Sequence, residues 1–202
     1  LGTRRTLTVE AVGPVLGSVG SVLLMQDTLP WKAWIGAVLV SSAVLLVALQ
    51  SSESNRSDSG NTPVIHGLML SLMAVISGLT GAFLARHVLL ETSLSPLQSA
   101  AIRLLGGWLV LMPVLRKTPW NRLGTRRGPW FRIVMATVLG TNVGIALQQL
   151  VFRELPVGPG VTLMATAPVM ALLIAPLEGD AIQPLGMLAA VLALAGVAVT
   201  TL

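Results

Sequence analysis

Residues 140–178 read GTNVGIALQQLVFRELPVGPGVTLMATAPVMALLIAPLE: two apolar helices joined by a short polar corner. The first helix carries the amides Asn142, Gln148 and Gln149; the second carries Thr162, Thr166 and Pro168. Both are too apolar for a soluble surface and too polar for plain lipid anchors. Hydrocarbon offers no hydrogen bonds, so such groups must face protein or a water-filled cavity. The rest of the chain is read outward from this hairpin.

The 202 residues are 53% hydrophobic and 10% charged, against about 25% charged in a soluble domain. Mean hydropathy is +0.81. Apolar residues fall in runs of roughly twenty, each long enough to cross a bilayer core of about 30 Å. Only helices and closed barrels satisfy their backbone in lipid, and barrel-type alternation is missing from the runs. The fold class is therefore all-α integral membrane. The spans are expected near residues 8–25, 31–49, 64–90, 96–115, 131–152, 158–177 and 182–202. A polar linker, QSSESNRSDSGNTP, occupies residues 50–63, and residues 116–130 form a basic loop. No run resembles a cleavable signal. Without cysteine there is no disulfide, thiolate metal site or Cys nucleophile. The pI near 11.4 points to topology and anionic headgroups before nucleic acid.

An internal repeat links the two ends. Pro14, Gln26 and Gly36 recur as Pro168, Glu178 and Gly186, at offsets of 154, 152 and 150 residues. Each copy is an apolar helix with an internal proline, a short polar turn, then an apolar helix with an early glycine. The second copy begins near Val64 and has five helices; the first shows its last two. The first residue is Leu, and three further helices are expected in roughly 90 residues upstream, by the repeat logic of secondary transporters. The chain without them is expected to transport nothing, because half the cavity wall would be missing.

The segment 140–180, followed by PLGMLAAVLALAGVAV, resembles the closing three helices of an EamA domain, the repeat unit of the drug/metabolite transporter superfamily. GLMLSLMAVISGLTGAFLARHVLLETSLSPLQSAAIRLLGG is similar to its opening two. The likeness covers residues 64–202 and the hairpin 8–49. It implies 1–49 as the closing pair of a first repeat, 64–202 as a complete second one, and ten helices in inverted topology around a central cavity. Members move amino acids, other metabolites, drugs or nucleotide sugars. The turn after the ninth family helix usually reads Gly-Glu; here it is Glu178-Gly179-Asp180, and Gln26 stands there in the first copy.

A charge at a helix centre costs about 2.5–3.5 kcal/mol, so Arg86 and Arg103 carry most information. Arg86 follows the row Ala74, Gly78, Ala82, and Arg103 lies between Ser99 and Gly107. Small faces pack against neighbouring helices. Each arginine is read either as a fixed charge for an anionic solute or as a cation snorkelling to headgroups. Gln148 follows Gly140 and Gly144, with Gln149 beside it and Asn142 on another face; the amides either bind solute or join helices, the latter worth about 0.6 kcal/mol. Thr162 and Thr166 share a face, where back-bonding to the preceding turn competes with a solute role. Pro14 and Pro168 are read as hinges or as static kinks. Glu10 is read as a proton-coupling site or an interfacial acid. His66 and His87, near opposite ends of one helix, are too far apart to hold a metal. Trp31, Trp34, Trp120 and Trp130 cluster at span ends, as an aromatic belt does.

Orientation stays open between two readings. Arg116, Lys117, Arg122, Arg126, Arg127 and Arg132 crowd one loop, which the positive-inside rule puts in the cytoplasm; the family likeness implies the opposite face.

The expected function is secondary transport, in the direction of export, of small metabolites such as amino acids or drug-like solutes, by alternating access in the cell membrane. The alternatives are a seven-span sensor and a structural membrane subunit without transport activity. A retinal sensor needs a lysine in the last span, and the lysines are Lys32 and Lys117. Neither paired carboxylates nor a nucleophile–base pair sits in a span, so no enzyme is expected; nor is a catalytic residue, cofactor or metal site. The partners expected are a small-molecule solute and the lipid bilayer, with no nucleic acid; a homodimer is compatible with the sequence.

Overall fold

Pro14 and Pro168 stand at helix starts. In the computed structural model, which describes residues 3–50, 64–117, 130–174 and 184–201, α1 (Thr3–Glu10) ends before a turn at Ala11 and Val12, and α2 (Gly13–Leu24) begins with Pro14 as its second residue. The sixth expected span divides in the same way. α8 (Val157–Met164) ends at a turn of Ala165 and Thr166, and α9 (Ala167–Ile174) begins with Pro168 second. Proline has no N–H for the carbonyl four residues earlier, and its ring clashes there. In the first turn of a helix that donor is unneeded, so the chain restarts a helix at each proline. The two breaks lie 154 residues apart, the offset of the prolines themselves.

The remaining spans are α3 (Trp31–Gln50), α4 (Val64–Glu91), α5 (Pro96–Lys117), α6 (Trp130–Ala136) running through a π-helix (Thr137–Val143) into α7 (Gly144–Glu154), and α10 (Pro184–Thr201). No strand occurs among the described residues. Among the described residues, by length and composition, five stretches are apolar enough to cross a membrane: residues 7–24, 31–49, 67–91, 130–154 and 184–201. Two of the seven expected spans fall outside that set. These are the fourth, whose 22-residue helix carries Arg103 within it, and the sixth, which is broken in two. The linker 51–63, the loop 118–129 with Trp120, and the turn at Glu178 lie outside the described residues.

The described residues form two compact units, 1–84 with 155–202, and 85–154. In the first, α3 and α10 run antiparallel in tight contact. A Cβ on Gly196 would come within 2.8 Å of Val40 Cγ2 and 3.0 Å of the Gly36 carbonyl oxygen. Ala43 and Val47 pack on Ala189, Ala190 and Ala193, with Val169 of α9 completing the cluster. Helices in lipid gain nothing from excluding water, so they associate by close backbone approach and van der Waals contact. Alanine and glycine along both faces permit this.

α2 crosses α8 equally closely. Gly17 approaches Val161 and Gly158, and a Cβ on Gly158 would sit 2.6 Å from the Ser18 Cα. The N-cap of α8 is Pro156, which has no side-chain acceptor, and Ser21 Oγ of α2 accepts from the Gly158 N–H at 2.9 Å instead. One helix thus caps another, satisfying one of the orphan donors of a helix start. The stretch Gly17-Ser18-Val19-Gly20-Ser21 was a legible small-residue seam that the sequence reading passed over.

Candidate functional site

The polar candidates of the second unit gather where α5 meets α7. α5 starts at a capping box that also escaped the sequence reading: Ser95 Oγ accepts from the Gln98 N–H at 3.2 Å, and Gln98 Oε1 accepts from the Ser95 N–H at 2.9 Å. The motif Ser95-Pro96-Leu97-Gln98 is the S-x-x-Q signature with proline at the first helical position. It sets the start of α5, and hence the positions of Ser99 and Arg103, one turn apart on one face.

That face meets two consecutive glutamines. Ser99 Oγ donates to Gln149 Oε1 at 3.2 Å, and Arg103 Nη1 donates to Gln148 Oε1 at 2.8 Å. The two contacts differ in environment. Gln149 is fully buried, whereas Arg103 lies on an exposed face. The Gln149 Nε2 has no acceptor among the described residues. A buried amide N–H without a partner costs about 1–3 kcal/mol, so this seam carries polar capacity beyond what helix association uses.

Arg86 lies elsewhere in the same unit. It is 8% exposed and its Nη1 donates to the Phe152 carbonyl oxygen at 2.9 Å. Phe152 is in the last turn of α7, where carbonyls have no intrahelical donor and the helix dipole favours a cation. Both readings from sequence left this out: the guanidinium caps a helix C-terminus.

Asn142 falls within the π-helix, every residue of which is exposed. The segment Thr137-Val138-Leu139-Gly140-Thr141-Asn142-Val143 is rich in weak α-formers, and a widened turn of this kind frequently marks a functional segment. The apolar pattern predicts one continuous helix here, because periodicity does not register a single-residue change of pitch. The small residues beside the candidates are not all packed: a Cβ on Gly78, Gly107 or Gly140 would meet nothing within 4 Å.

The first unit holds the other candidates. The buried Thr162 hydroxyl donates to the Gly158 carbonyl oxygen at 2.8 Å, and Thr166 to Leu163 at 2.7 Å across the break between α8 and α9. A small cleft is lined by Pro159, Thr162, Leu163, Val197, Thr200 and Thr201, but the Thr200 and Thr201 hydroxyls also donate to their own helix carbonyls. Its walls are therefore effectively apolar. Pro14 is buried beside Ser18, whose Oγ donates to the Pro14 carbonyl oxygen at 2.9 Å. Glu10, His87, Trp31 and Trp130 are exposed and Trp34 is half-buried; the side chain of His66 lies outside the described residues. Among the described residues no three His, Asp or Glu side chains come together as a metal site would require.

The model of the EamA-like transporter family matches residues 65–202. No curated protein and no solved structure matches the chain.

Proposed function

The chain belongs to the EamA-like transporter family, multi-pass membrane transporters rather than enzymes, and from that premise we propose that it carries small metabolites across the cell membrane as a secondary exporter. The observation that carries this reading is the α5–α7 seam. An arginine, a serine and two glutamines meet there on helices that run through predominantly apolar sequence, one with a buried amide nitrogen that has no acceptor among the described residues. Such groups are expensive in a bilayer unless they pair within the protein or face a water-filled path, and the leftover buried donor favours the path. Arg103, Gln148, Gln149 and, on the π-helix, Asn142 are its wall; Arg86 holds α7 at the edge of that wall.

Alternating access is supported by the two broken helices. Each break at Pro14 and Pro168 offers a point where the two halves of a span can move separately, and discontinuous helices are the usual site-forming elements of transporters with inverted repeats. We read residues 1–49 as the closing pair of one repeat and 64–202 as a second. The antiparallel packing of α3 on α10, equivalent helices in the two copies, supports opposite orientation in the membrane.

The test is flux. Full-length protein reconstituted in liposomes should exchange internal radiolabelled amino acids or small organic solutes for external ones at rates well above empty vesicles, without ATP. Absence of flux across a broad solute panel, with the protein folded and inserted, overturns the reading.

A further inference from the structure

We propose that the α5–α7 seam is a subsite for the carboxylate of a singly charged organic anion lacking an ammonium group; this deepens the transport reading and rests on it. Two observations point the same way. Arg103 is a cation whose acceptor here is a neutral amide oxygen, Gln148 Oε1 at 2.8 Å. One turn earlier, Ser99 holds the fully buried Gln149 by its Oε1, leaving Nε2 without an acceptor among the described residues. The seam therefore offers N–H donors in excess of acceptors.

An acceptor-only ligand answers that imbalance. A carboxylate has two oxygens and no donor, and it can take a guanidinium bidentately with charge on both partners, which a single neutral amide oxygen cannot. The solute would thus displace Gln148 Oε1 from Arg103 and present an acceptor toward Gln149 Nε2. Gln148 acts as a placeholder: it holds the guanidinium in position while the site awaits a stronger acceptor.

The charge count selects the class. Arg103 is the guanidinium bonded to the seam glutamines, Arg86 being engaged at Phe152 and Arg153 standing exposed in the last turn of α7, so one negative charge is matched at the seam and a phosphate dianion is not. The acidic residues described in this unit, Glu91 and Glu154, are exposed at helix ends. Among the described residues no carboxylate is bonded to the seam to receive an ammonium, and a zwitterionic amino acid would leave its cation in apolar surroundings.

Benzoate and its uncharged isostere benzamide test this by titration calorimetry on the full-length protein in phosphatidylcholine nanodiscs. Benzoate should bind at least about tenfold more tightly than benzamide, a difference of one decade in Kd. Arg103→Gln should remove the preference, Arg103→Lys should retain part of it, and Gln149→Met, which keeps the buried volume, should weaken benzoate about three- to tenfold. Circular dichroism and size exclusion identify variants that fold, and the conclusion is drawn from those. Equal binding of the two probes, or unchanged benzoate affinity in Arg103→Gln, overturns the proposal. So does displacement of benzoate by added phosphatidylglycerol, which would make the seam a lipid-headgroup site. Vesicle flux of neutral solutes that benzoate neither drives nor inhibits also sinks this inference while leaving transport intact. Benzoate binding without flux of any solute removes the transport reading and keeps the site.

Discussion

Arg86 Nη1 donates to the carbonyl oxygen of Phe152 at 2.9 Å, joining α4 to the last turn of α7 through a cation that is 8% exposed. A charge that costs free energy to bury is stabilised by a carbonyl at the negative end of a helix dipole. The contact lies three residues from Gln149, so it also bears on the geometry of the seam.

Replacing Arg86 with Met keeps most of the apolar stem and removes the bond. The expected loss is about 1–3 kcal/mol, that of a buried acceptor left without its charged donor. Unfolding in mixed micelles checks it. Arg86→Lys should recover part of the loss, and if Arg86→Met is as stable as the parent, the cap contributes nothing.

Ser21→Ala should cost about 1 kcal/mol, the magnitude of losing a helix N-cap, because Gly158 N–H then loses its 2.9 Å acceptor. Gly158→Ala should cost more, since the new Cβ would lie 2.6 Å from the Ser18 backbone and the two helices must part. Once they have parted, the Ser21 bond is already gone. The double variant should therefore be less destabilised than the sum of the singles, a coupling that a double-mutant cycle reads directly.

Gly36→Ala places a methyl against Thr200 Oγ1 and 2.5 Å from the Gly196 carbonyl oxygen. Overpacking of this kind costs about 1–3 kcal/mol. Thr200→Ala added to it should restore less than half, because the second clash is with backbone. Full rescue in thermal unfolding would show that the α3–α10 approach tolerates adjustment.

Gln26 is the described non-glycine residue with positive φ, at 54°. It follows α2, where glycine is favoured because a Cβ is strained in left-handed backbone. Gln26→Gly should stabilise the protein, by up to about 1 kcal/mol. A lower thermal midpoint in the variant would mean that the glutamine side chain contributes more than its strain.

The helical membrane character, the approximate span positions and the family were all legible in the chain. Hydrophobic run length and the prohibition on unpaired backbone in lipid are local constraints that any reader of the sequence can apply. The prolines were legible too, but the local structure at each was not: Pro14 and Pro168 each stand in the first turn of a new helix that follows a break. The run of apolar residues does not register such a break, because hydrophobicity continues unchanged across it.

The roles of the polar residues were decided by tertiary structure. Arg86 and Arg103 look alike along the chain, each beside a row of small residues. One is buried on a helix end and the other faces a glutamine on an exposed seam. Ser21, which drew no notice from sequence, caps a helix 137 residues away. Composition states that a polar group must find a partner in the membrane. Only the packing of helices, set by glycine and alanine contacts of van der Waals range, determines which partner that is, and so which groups remain available to a solute.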